Sequence, residues 1–593
     1  MLAQNLRTTR HRELGPELDP GMTRPDISFC VALAAALWFA IPGAGRAERV
    51  FLETAAETGL EFTHFNGMSG ERYFAEIAGS GAALFDYDND GDLDVYFAQG
   101  SMLGAKSLEE ALFPPAAEPR DRLFRNDLRP DGESGSTMRF VDVTEASDIE
   151  APGYGIGVAA GDIDNDGWTD LYVTNLGPNQ MLRNNGNGTF SDVTASTGTG
   201  DRRWGISAAF LDYDGDGWLD LYVANYVEFR VALDKQCVSP TGSRDYCGPL
   251  AYTAEPDRLY RNRGDGTFDD VTTKLGIDRE LRSGLGVVTG DFNSDGWVDI
   301  YVANDQMPNI LWMNQKDGTL VNDALLAGCA VNETGLPEAS MGVVVGDLNG
   351  DGYEDIFMSH LSRETNTIYL NDGTGFFTDG SRTSGLGMPS FKYTGFGIAI
   401  LDYDLNGAQD LYVADGAVNL IEELARTGDP YPLEQPDQLF RNSGGGRFED
   451  VTARAGEVFE RREVGRGVSV GDLDLDGDPD LIVANNTGPA WLLENSIGAG
   501  EGSWLSARLL ERPAGRDQLG TKLTLAAGDE RWFRRIATDG SYASANSVWA
   551  DFGLGAEPGM GSVDLRADWI GGGVSEWLGV PARRRWLFYR PRS

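Results

Sequence analysis

The chain has 593 residues, several times the size of one ordinary domain, so it needs several cores or a repeat that builds one core from many units. Asp and Glu number 92 against 49 Lys and Arg, a formal charge of -43 at pH 7. A surface this acidic repels phosphate backbones and anionic headgroups, which argues against a nucleic-acid partner and favours divalent cations.

Residues 1–47 are predicted to be a signal peptide, with Met22 as an alternative start. Residues 27–41 form an apolar run of 15, too short for a comfortable membrane span, and small residues follow at Gly45 and Ala47. An uncleaved anchor is the alternative. Cys30 lacks the small residues that precede a lipidated cysteine. We therefore expect an exported chain, periplasmic, cell-surface or secreted, whose mature form has no transmembrane span.

One nine-residue pattern, Asp-x-Asp/Asn-x-Asp/Asn-Gly-x-x-Asp, recurs seven times in residues 48–497. A Gly-rich apolar segment precedes each copy and a β-rich segment follows most of them, which indicates two antiparallel strands joined by an acidic loop. Third and fourth short segments usually follow. Four strands per repeat predict a seven-bladed β-propeller within an all-β chain, with an open solenoid as the alternative. Residues 498–593 are predicted to form a small C-terminal β-domain with its own β pattern, without which the propeller should still fold.

The fourth segment predicts how the ring closes. Its Phe-x-Asp-Val-Thr signature, in full or degenerate form, follows six of the seven loops and is missing after the last one. Residues 51–54, ahead of the first loop, resemble this signature. We therefore expect the N-terminal strand to complete the last blade, which leaves no sheet edge open.

The acidic loops predict calcium sites. In the first loop the carboxylates of Asp86, Asp88 and Asp90 fall on one side of a turn at Gly91, and Asp94 closes the site. Converging carboxylates about 4 Å apart repel by roughly 1–4 kcal/mol per pair, so the loops need a divalent cation. Calcium tolerates six to eight flexible oxygen ligands, and the absence of nearby His or Cys argues against zinc, copper or iron. An EF-hand is excluded by the β-rich flanks, and ordinary solvated turns are the alternative.

The predicted ligands, for up to seven Ca²⁺ ions, include the residue at the seventh position of six loops. They are Asp86, Asp88, Asp90, Asp92 and Asp94; Asp162, Asp164, Asp166, Trp168 and Asp170; Asp212, Asp214, Asp216, Trp218 and Asp220; Asp291, Asn293, Asp295, Trp297 and Asp299; Asp347, Asn349, Asp351, Tyr353 and Asp355; Asp402, Asp404, Asn406 and Asp410; and Asp472, Asp474, Asp476, Asp478 and Asp480. Loops two, three and seven should bind best, and loop six should be the weakest.

Unequal spacing between loops indicates three insertions, at residues 101–120, 226–256 and 416–436. Insertions of this kind usually carry specificity. Their aromatic residues suit protein or carbohydrate surfaces and are expected to contact a partner. These residues include Tyr226, Phe229, Tyr246 and Tyr252.

The cysteines agree with export. Cys237 and Cys247 lie ten positions apart in the second insertion and are predicted to form a disulfide in an oxidising compartment, two free thiols being the alternative. Cys329 lies in an apolar stretch and is expected to be free and buried.

Catalytic groups are sparse. Of three histidines, His11 lies in the targeting segment, and His64 and His360 have no obvious nucleophile partner. The acidic pairs fall in the metal loops, so no glycosidase-type pair can be chosen. We therefore expect a binding, adhesion or scaffold module for a protein or glycan, with a calcium-assisted polysaccharide lyase or hydrolase as the alternative.

The loops in their strand context resemble the FG-GAP or VCBS repeats of integrin α-chains, which implies a calcium-binding seven-bladed propeller. Phe62-Thr-His-Phe-Asn66, Ala78-Gly-Ser-Gly-Ala82 and Tyr246-Cys247-Gly-Pro249 resemble the cartilage acidic protein family. The C-terminal part resembles its ASPIC/UnbV domain at Gly520, Gly540-Ser-Tyr542 and Phe552-Gly-Leu-Gly555, although Ala545 and Trp569-Ile570-Gly571 depart from the usual pattern. The resemblance implies an architecture but no activity.

Overall fold

The computed structural model describes residues 50–130, 136–239, 241–497, 502–512, 515–555 and 560–591. The predicted signal peptide lies outside this part of the chain. The described residues belong to one compact unit, Ala47–Ser593. Among them, no helix has the length and apolar character that a bilayer crossing requires.

Seven four-stranded antiparallel sheets, here called blades, follow one another along the chain. Their strands, from the first to the fourth, are as follows: blade 1, Ala82–Phe85, Asp94–Phe97, Arg122–Asn126, Phe140–Asp142; blade 2, Gly155–Gly161, Asp170–Asn175, Gln180–Asn184, Phe190–Asp192; blade 3, Gly205–Leu211, Asp220–Asn225, Arg258–Asn262, Phe268–Asp270; blade 4, Gly284–Gly290, Asp299–Asn304, Ile310–Asn314, Leu320–Asn322; blade 5, Val343–Gly346, Asp355–Met358, Thr367–Asn371, Phe377–Asp379; blade 6, Gly395–Leu401, Asp410–Asp415, Gln438–Asn442, Phe448–Asp450; blade 7, Gly465–Gly471, Asp480–Asn485, Trp491–Asn495, Phe51–Glu53. The prediction of an all-β propeller is confirmed.

The ring of blades closes through the N-terminal strand. First strands of successive blades pack side by side, and that of blade 7 packs on that of blade 1. Phe51–Glu53 pairs antiparallel with Trp491–Asn495, with Phe51 opposite Asn495. The closure expected from the sequence is therefore confirmed.

Burial explains the composition of the strands. The second strand of blade 2, Asp170–Asn175, is buried at every position, because neighbouring blades cover both of its faces. Glycines in the first strands permit this close packing. A Cβ on Gly157 would lie 2.4 Å from the carbonyl oxygen of Ile206 in blade 3. These glycines are therefore required by the contact between blades.

Helices are short and lie between strands or in insertions. The α-helices are Ala55–Thr58, Thr194–Thr197, Thr272–Leu275, Ala324–Ala327, Ser381–Ser384, Gly387–Ser390 and Glu422–Thr427, and the 3₁₀ helices are Phe74–Ile77, Leu108–Glu110, Val231–Leu233, Pro249–Ala251, Ile277–Arg279, Thr452–Arg454 and Glu457–Glu460. Two small hairpins pair Arg129–Pro130 with Ser136–Thr137 and Cys237–Val238 with Arg244–Asp245.

The C-terminal part forms two further sheets. One contains Trp504–Glu511, Arg516–Asp517, Ala550–Gly553 and Arg584–Tyr589, and the other contains Lys522–Ala527, Glu530–Arg535, Ser562–Asp568 and Val574–Pro581. Their apolar side chains share a core with blades 2 and 3. The β pattern of this part is therefore confirmed, but it is packed against the propeller.

Residues 539–547, here called the axial segment, run from the C-terminal part along the first strands. Ser541 bridges to Val343 of blade 5 and Ala545 to Ala83 of blade 1. The amide of Val158 in blade 2 donates to the carbonyl of Ala543 at 3.0 Å. Because one segment contacts blades on different sides of the ring, it fills the propeller's axis.

Candidate metal-binding loops

The seven acidic loops each connect the first two strands of a blade, so they share one face of the ring, here called the loop face. The three insertions connect second and third strands and therefore lie at the opposite face, here called the insertion face.

Aspartates at the first position organise the loops. Asp86 accepts hydrogen bonds from the amides of Asp90 and Gly91, both at 3.1 Å, and five of the other loops repeat this pair of bonds. Asp472 in the seventh loop differs, since both of its carboxylate oxygens are buried without a partner among the described residues. Its burial and the neighbouring Asp551 raise its pKa well above the usual range.

Aspartates at the ninth position clamp the loop to the third strand. Asp94 accepts from the amides of Tyr87 and Asn126, each at 2.9 Å. The equivalent pairs of bonds occur at Asp170, Asp220, Asp299, Asp355, Asp410 and Asp480. All seven are buried, and burial raises the pKa of each. A cation beside them would favour the ionised form.

In five loops, three carboxylates come within 4.8 Å of one another. The groups are Asp86, Asp88, Asp90; Asp162, Asp164, Asp170; Asp212, Asp214, Asp220; Asp402, Asp404, Asp410; and Asp472, Asp474, Asp480. The third-position aspartates of loops one, two, three and six each have one buried oxygen with no hydrogen-bond partner in the described chain. The atoms that could coordinate a metal are all oxygens, and several of them have no hydrogen-bond partner. Such a set fits a hard cation.

Loops four and five are organised differently. Asn293 and Asn349 replace the third-position aspartate, and the amides of Asp295 and Asp351 donate to their side-chain oxygens. In the sixth loop the Asn406 side chain accepts from the Ala408 amide at 2.7 Å, and its three aspartates come together as in loops two and three. The geometry therefore does not single out the sixth loop as the weakest.

The seventh-position residues contribute through their backbone. In each loop the amide at this position donates to the side chain at the fifth position, as Trp168 does to Asp166 at 2.9 Å. The same bond is made by Asp92, Trp218, Trp297, Tyr353, Ala408 and Asp478. The ring of Trp168 packs beside Gly186, where an added Cβ would lie 2.7 Å from its indole nitrogen.

The charge of one third-strand residue in each blade depends on the residue at the third position of that blade's acidic loop. Arg261 pairs with Asp214 and Asp216, and Arg441 pairs with Asp404 at 2.6 Å. In loops four and five, where Asn occupies the third position of the loop, the corresponding third-strand residues are the uncharged Met313 and Leu370. The seventh loop has Glu494 there instead. Of the seven third strands, that of blade 7 therefore carries the largest uncompensated negative charge beside its loop. Burial raises the pKa of Glu494.

An asparagine at the end of each third strand was not recognised from the sequence. Asn262 of blade 3 donates its side-chain amide to the carbonyl of Ile163 in the loop of blade 2 at 2.8 Å, and its backbone amide to Asp220 of its own loop. All seven blades make this bond to the preceding loop, through Asn126, Asn184, Asn262, Asn314, Asn371, Asn442 and Asn495. The repeated Asn was the available signal.

The C-terminal sheets cover the loop face. An added Cβ on Gly477 would lie 2.0 Å from the Trp504 ring and one on Gly407 2.4 Å from Trp532. Burial raises the pKa of Asp402, and the guanidinium of Arg534 opposes that rise. Arg508, Arg516 and Arg585 act in the same direction on the first-position aspartates of loops one, three and seven. These arginines were not anticipated from the sequence.

The insertion face differs from the expectation in one respect. Tyr226, Phe229 and Tyr246 are buried and Tyr252 is half-buried, because they pack with Phe74 and Trp204 over the end of the axis. The aromatic residues thus form the base of the insertions. The large apolar residues exposed at this face include Leu112, Leu233, Val238, Leu250, Leu281, Leu325, Leu326, Leu336, Met388 and Phe391 instead.

The cysteine predictions are confirmed. Cys237 and Cys247 form a disulfide, and Cys329 is free and buried. Burial raises the pKa of Cys329. A disulfide here agrees with the predicted export to an oxidising compartment.

The two described histidines are buried. His64 Nδ1 accepts from the amide of Thr487 at 3.2 Å, and burial lowers the His64 pKa to about 3. His360 Nε2 lies 3.2 Å from Ser340 Oγ, and burial lowers its pKa to about 4. Both side chains are neutral at pH 7 and take part in packing.

Comparison with known proteins agrees with this geometry. The FG-GAP-like repeat model matches residues 162–223, 246–302, 291–358 and 347–413, and the ASPIC and UnbV model matches residues 511–593. Cartilage acidic protein 1 of Mus musculus is 25% identical over 574 residues, 92% of this chain and 77% of the relative. The match to the Homo sapiens protein, 26% identical over 205 residues, covers 32% of this chain and 27% of that one. The match to cartilage acidic protein 1 of Xenopus tropicalis spans about a quarter of that relative's length.

Among solved structures, YCF48 bound to a D1 peptide is 7% identical, with a TM-score of 0.36 and coverage of 74% of this chain and 94% of that one. That likeness carries no argument about function. The family-model matches and the mouse alignment do carry one about descent. The chain combines FG-GAP-like repeats with an ASPIC and UnbV domain and is related to cartilage acidic protein 1 over most of its length.

Proposed function

We propose that this chain is an exported calcium-binding β-propeller that serves as a binding, adhesion or scaffold module for a protein or glycan partner. The observation that carries the proposal is the position of the C-terminal part. It covers the loop face and fills the axis, so the insertion face is the end of the ring left for a partner.

Calcium is the cation that the loops suit best. Their donors are carboxylate, amide and carbonyl oxygens, several of them buried and unpartnered. Calcium accepts the irregular geometry of such loops, whereas magnesium demands a near-octahedral set with retained water. We propose that the ions hold the loops, the third strands and the C-terminal part together, with no part in a reaction.

The exposed apolar residues support a partner at the insertion face. Leu233, Val238 and Leu250 belong to the disulfide-closed insertion and are 48%, 68% and 62% exposed. Leu112 lies in the first insertion, and Leu336 in a connection at the same end of its blade. A contiguous exposed apolar patch is typical of a protein contact, and we propose that these side chains form one.

A paired set of variants tests the proposal. The full chain, in millimolar calcium, is applied to a glycan array and to an array of envelope proteins from its own cells. Replacing Leu233, Val238 and Leu250 with Ser should abolish binding. Replacing Val574, Leu578 and Leu587, equally exposed residues of the C-terminal part, should leave it intact. Equal effects of the two triple variants would refute the assignment of the insertion face.

A further inference from the structure

A cavity opens at the end of the axis on the insertion face. Its volume is about 60 Å³, and Tyr542 of the axial segment lies beside Phe74, Trp204 and Phe396 in its wall. A cavity needs about 10–15 Å³ on this measure to hold one water, so this cavity has room for more than one water and for a group of the order of one small ring. It therefore suits a single small group.

Two residues of its wall each carry a buried polar atom with no hydrogen-bond partner among the described residues. The atoms are Oδ1 of Asp305 and Nε1 of Trp204, and both residues are more than nine-tenths buried. The hydroxyl of Tyr226 donates to the other oxygen, Oδ2, at 2.5 Å, which fixes the carboxylate. An unpaired acceptor and an unpaired donor are each costly in a buried site.

The rim adds further polar groups and an unusual backbone. Gln306 follows Asp305 with φ of 56°, in the left-handed region that few non-glycine residues adopt. Its side-chain nitrogen lies 3.5 Å from the Cβ position of Gly248, next to the Cys237–Cys247 disulfide. Asn419 contributes a second amide to the wall. The disulfide therefore holds one side of the opening against Gln306.

These groups discriminate between kinds of ligand. Asp305 is the one acidic or basic residue in the described wall, and burial raises its pKa to about 7. Its ionised form disfavours an anion. An ammonium group could pair with Asp305 but offers no acceptor to the Trp204 N–H. Hydroxyl groups both donate and accept, so a ligand with several of them can satisfy both atoms. A phenol has one hydroxyl, whereas a sugar ring has several for Gln306 and Asn419 and apolar C–H faces for the aromatic wall.

We propose that this cavity binds one neutral sugar residue, with a hydroxyl donating to Asp305 and other hydroxyls accepting from Trp204 and the rim amides. The volume admits a single ring, so the residue is at the end of a glycan or on a side branch. This proposal rests on the insertion face being the binding face, and it names the ligand class there.

The experiment uses the full chain in millimolar calcium and measures binding of neutral methyl glycosides by saturation-transfer NMR and titration. Choline and phenol serve as the cationic and aromatic-hydroxyl probes. Asp305→Asn and Trp204→Phe, which change the unpaired acceptor and donor, should each weaken glycoside binding about tenfold. Gln306→Ala, at the rim, should weaken it with least effect on folding.

Two variants provide matched controls. Asp121→Asn changes another buried, tyrosine-bonded aspartate, in blade 1, which lies outside the cavity wall. Trp577→Phe changes a half-buried tryptophan of the C-terminal sheets. Both should bind glycosides as the unmodified chain does, and melting curves should show that all five variants are folded.

The outcomes separate this proposal from the proposed function. If no glycoside binds, or only choline or phenol does, while the Leu233, Val238 and Leu250 variant still loses its array partner, the sugar site is wrong and the binding face stands. If glycosides bind but Asp305→Asn has no effect, the sugar binds elsewhere and the proposal is overturned. If the triple variant has no effect on array binding, the proposed function fails on its own terms.

Discussion

Asparagine side chains at the ends of the third strands join each blade to the loop before it. In blade 3, Asn262 is buried and reaches Ile163 and Leu219 with its side-chain nitrogen. Its side-chain oxygen accepts from Gly264 at 2.9 Å, so one residue connects two loops and a turn. Because the bond recurs around the ring, the position of each loop depends on the adjacent blade.

We therefore expect Asn262→Ala to lower the free energy of unfolding by about 1–3 kcal/mol, since it leaves buried groups unpaired. Urea unfolding in saturating calcium measures the effect. Asn187→Ala, in an exposed turn of blade 2, is the control and should change it by less than about 0.5 kcal/mol. Equal losses in the two variants would contradict the assigned role of Asn262.

Buried tyrosine–aspartate pairs close the bases of the three insertions. Tyr222 donates to Asp257 at 2.7 Å, and the amide of Asn225 donates to the other oxygen at 2.8 Å. Tyr96 with Asp121 and Tyr412 with Asp437 repeat the arrangement. Burial raises the pKa of Asp257 to about 7 from 3.8.

Between pH 4 and pH 7 the folded chain keeps a proton on this carboxylate, because its pKa is raised. The unfolded chain has lost that proton in the same pH range. Stability from this group is therefore greatest at low pH and falls as pH rises towards 7. We expect Asp257→Asn to remove about 2–3 kcal/mol of that loss between pH 5 and pH 7. Urea unfolding of both proteins at the same free calcium tests this, and identical slopes would refute it.

At the scale of strands, periodicity predicted the fold because each blade repeats the same short signals. The Phe-x-Asp-Val-Thr register placed Phe51 in the last blade, which the pairing with Asn495 confirms. The clustering of the loop aspartates could be anticipated because their spacing is local. The bonds made by Asn262 and the approach of Arg534 to Asp402 join residues distant in the chain, and a single sequence holds no signal for such contacts.

The N-terminal strand gives a point test of ring closure. Phe51 is 1% exposed and packs near Tyr403 and Phe459, whereas Leu52 on the same strand faces outward. Phe51→Ala should cost about 3–5 kcal/mol and Leu52→Ala less than about 1 kcal/mol. Thermal unfolding in calcium measures both.

Deleting the chain up to Leu60 goes further, because it exposes the edge of Trp491–Asn495. We expect a lower melting temperature and aggregation on size exclusion, since an open strand edge pairs with other chains. A deletion variant as stable and monomeric as the full chain would mean that the ring closes without this strand.

At the scale of the whole molecule, the loops lie between the propeller and the C-terminal part. Excess EGTA should lower the melting temperature relative to millimolar calcium, since each independent site contributes about 2.7 kcal/mol at one hundred times its dissociation constant. Hydrogen exchange should rise first in Trp504–Glu511 and Glu530–Arg535, which lie on the loops. An unchanged midpoint would argue against structural cations, and magnesium at equal ionic strength is the control.

The axial segment changes the expectation for a C-terminal deletion. The sequence predicted that the propeller folds without residues 498–593. Removing them would empty the axis and expose the buried surface around Val343 and Ala83. We now expect the truncated propeller to melt lower and to expose apolar surface to a dye such as ANS. A truncated chain that melts like the full one would restore the original expectation.

The axial segment also bears on how the chain is made. Blade 7 lacks its outer strand until Trp491–Asn495 can pair with Phe51–Glu53, more than 400 residues away, and the axis stays empty until Ser541 and Ala545 have been synthesised. Contacts between such distant residues form slowly. Early blades can form their own hairpins as they emerge, but none has its full set of neighbours. The final, cooperative step of folding therefore belongs to the completed polypeptide.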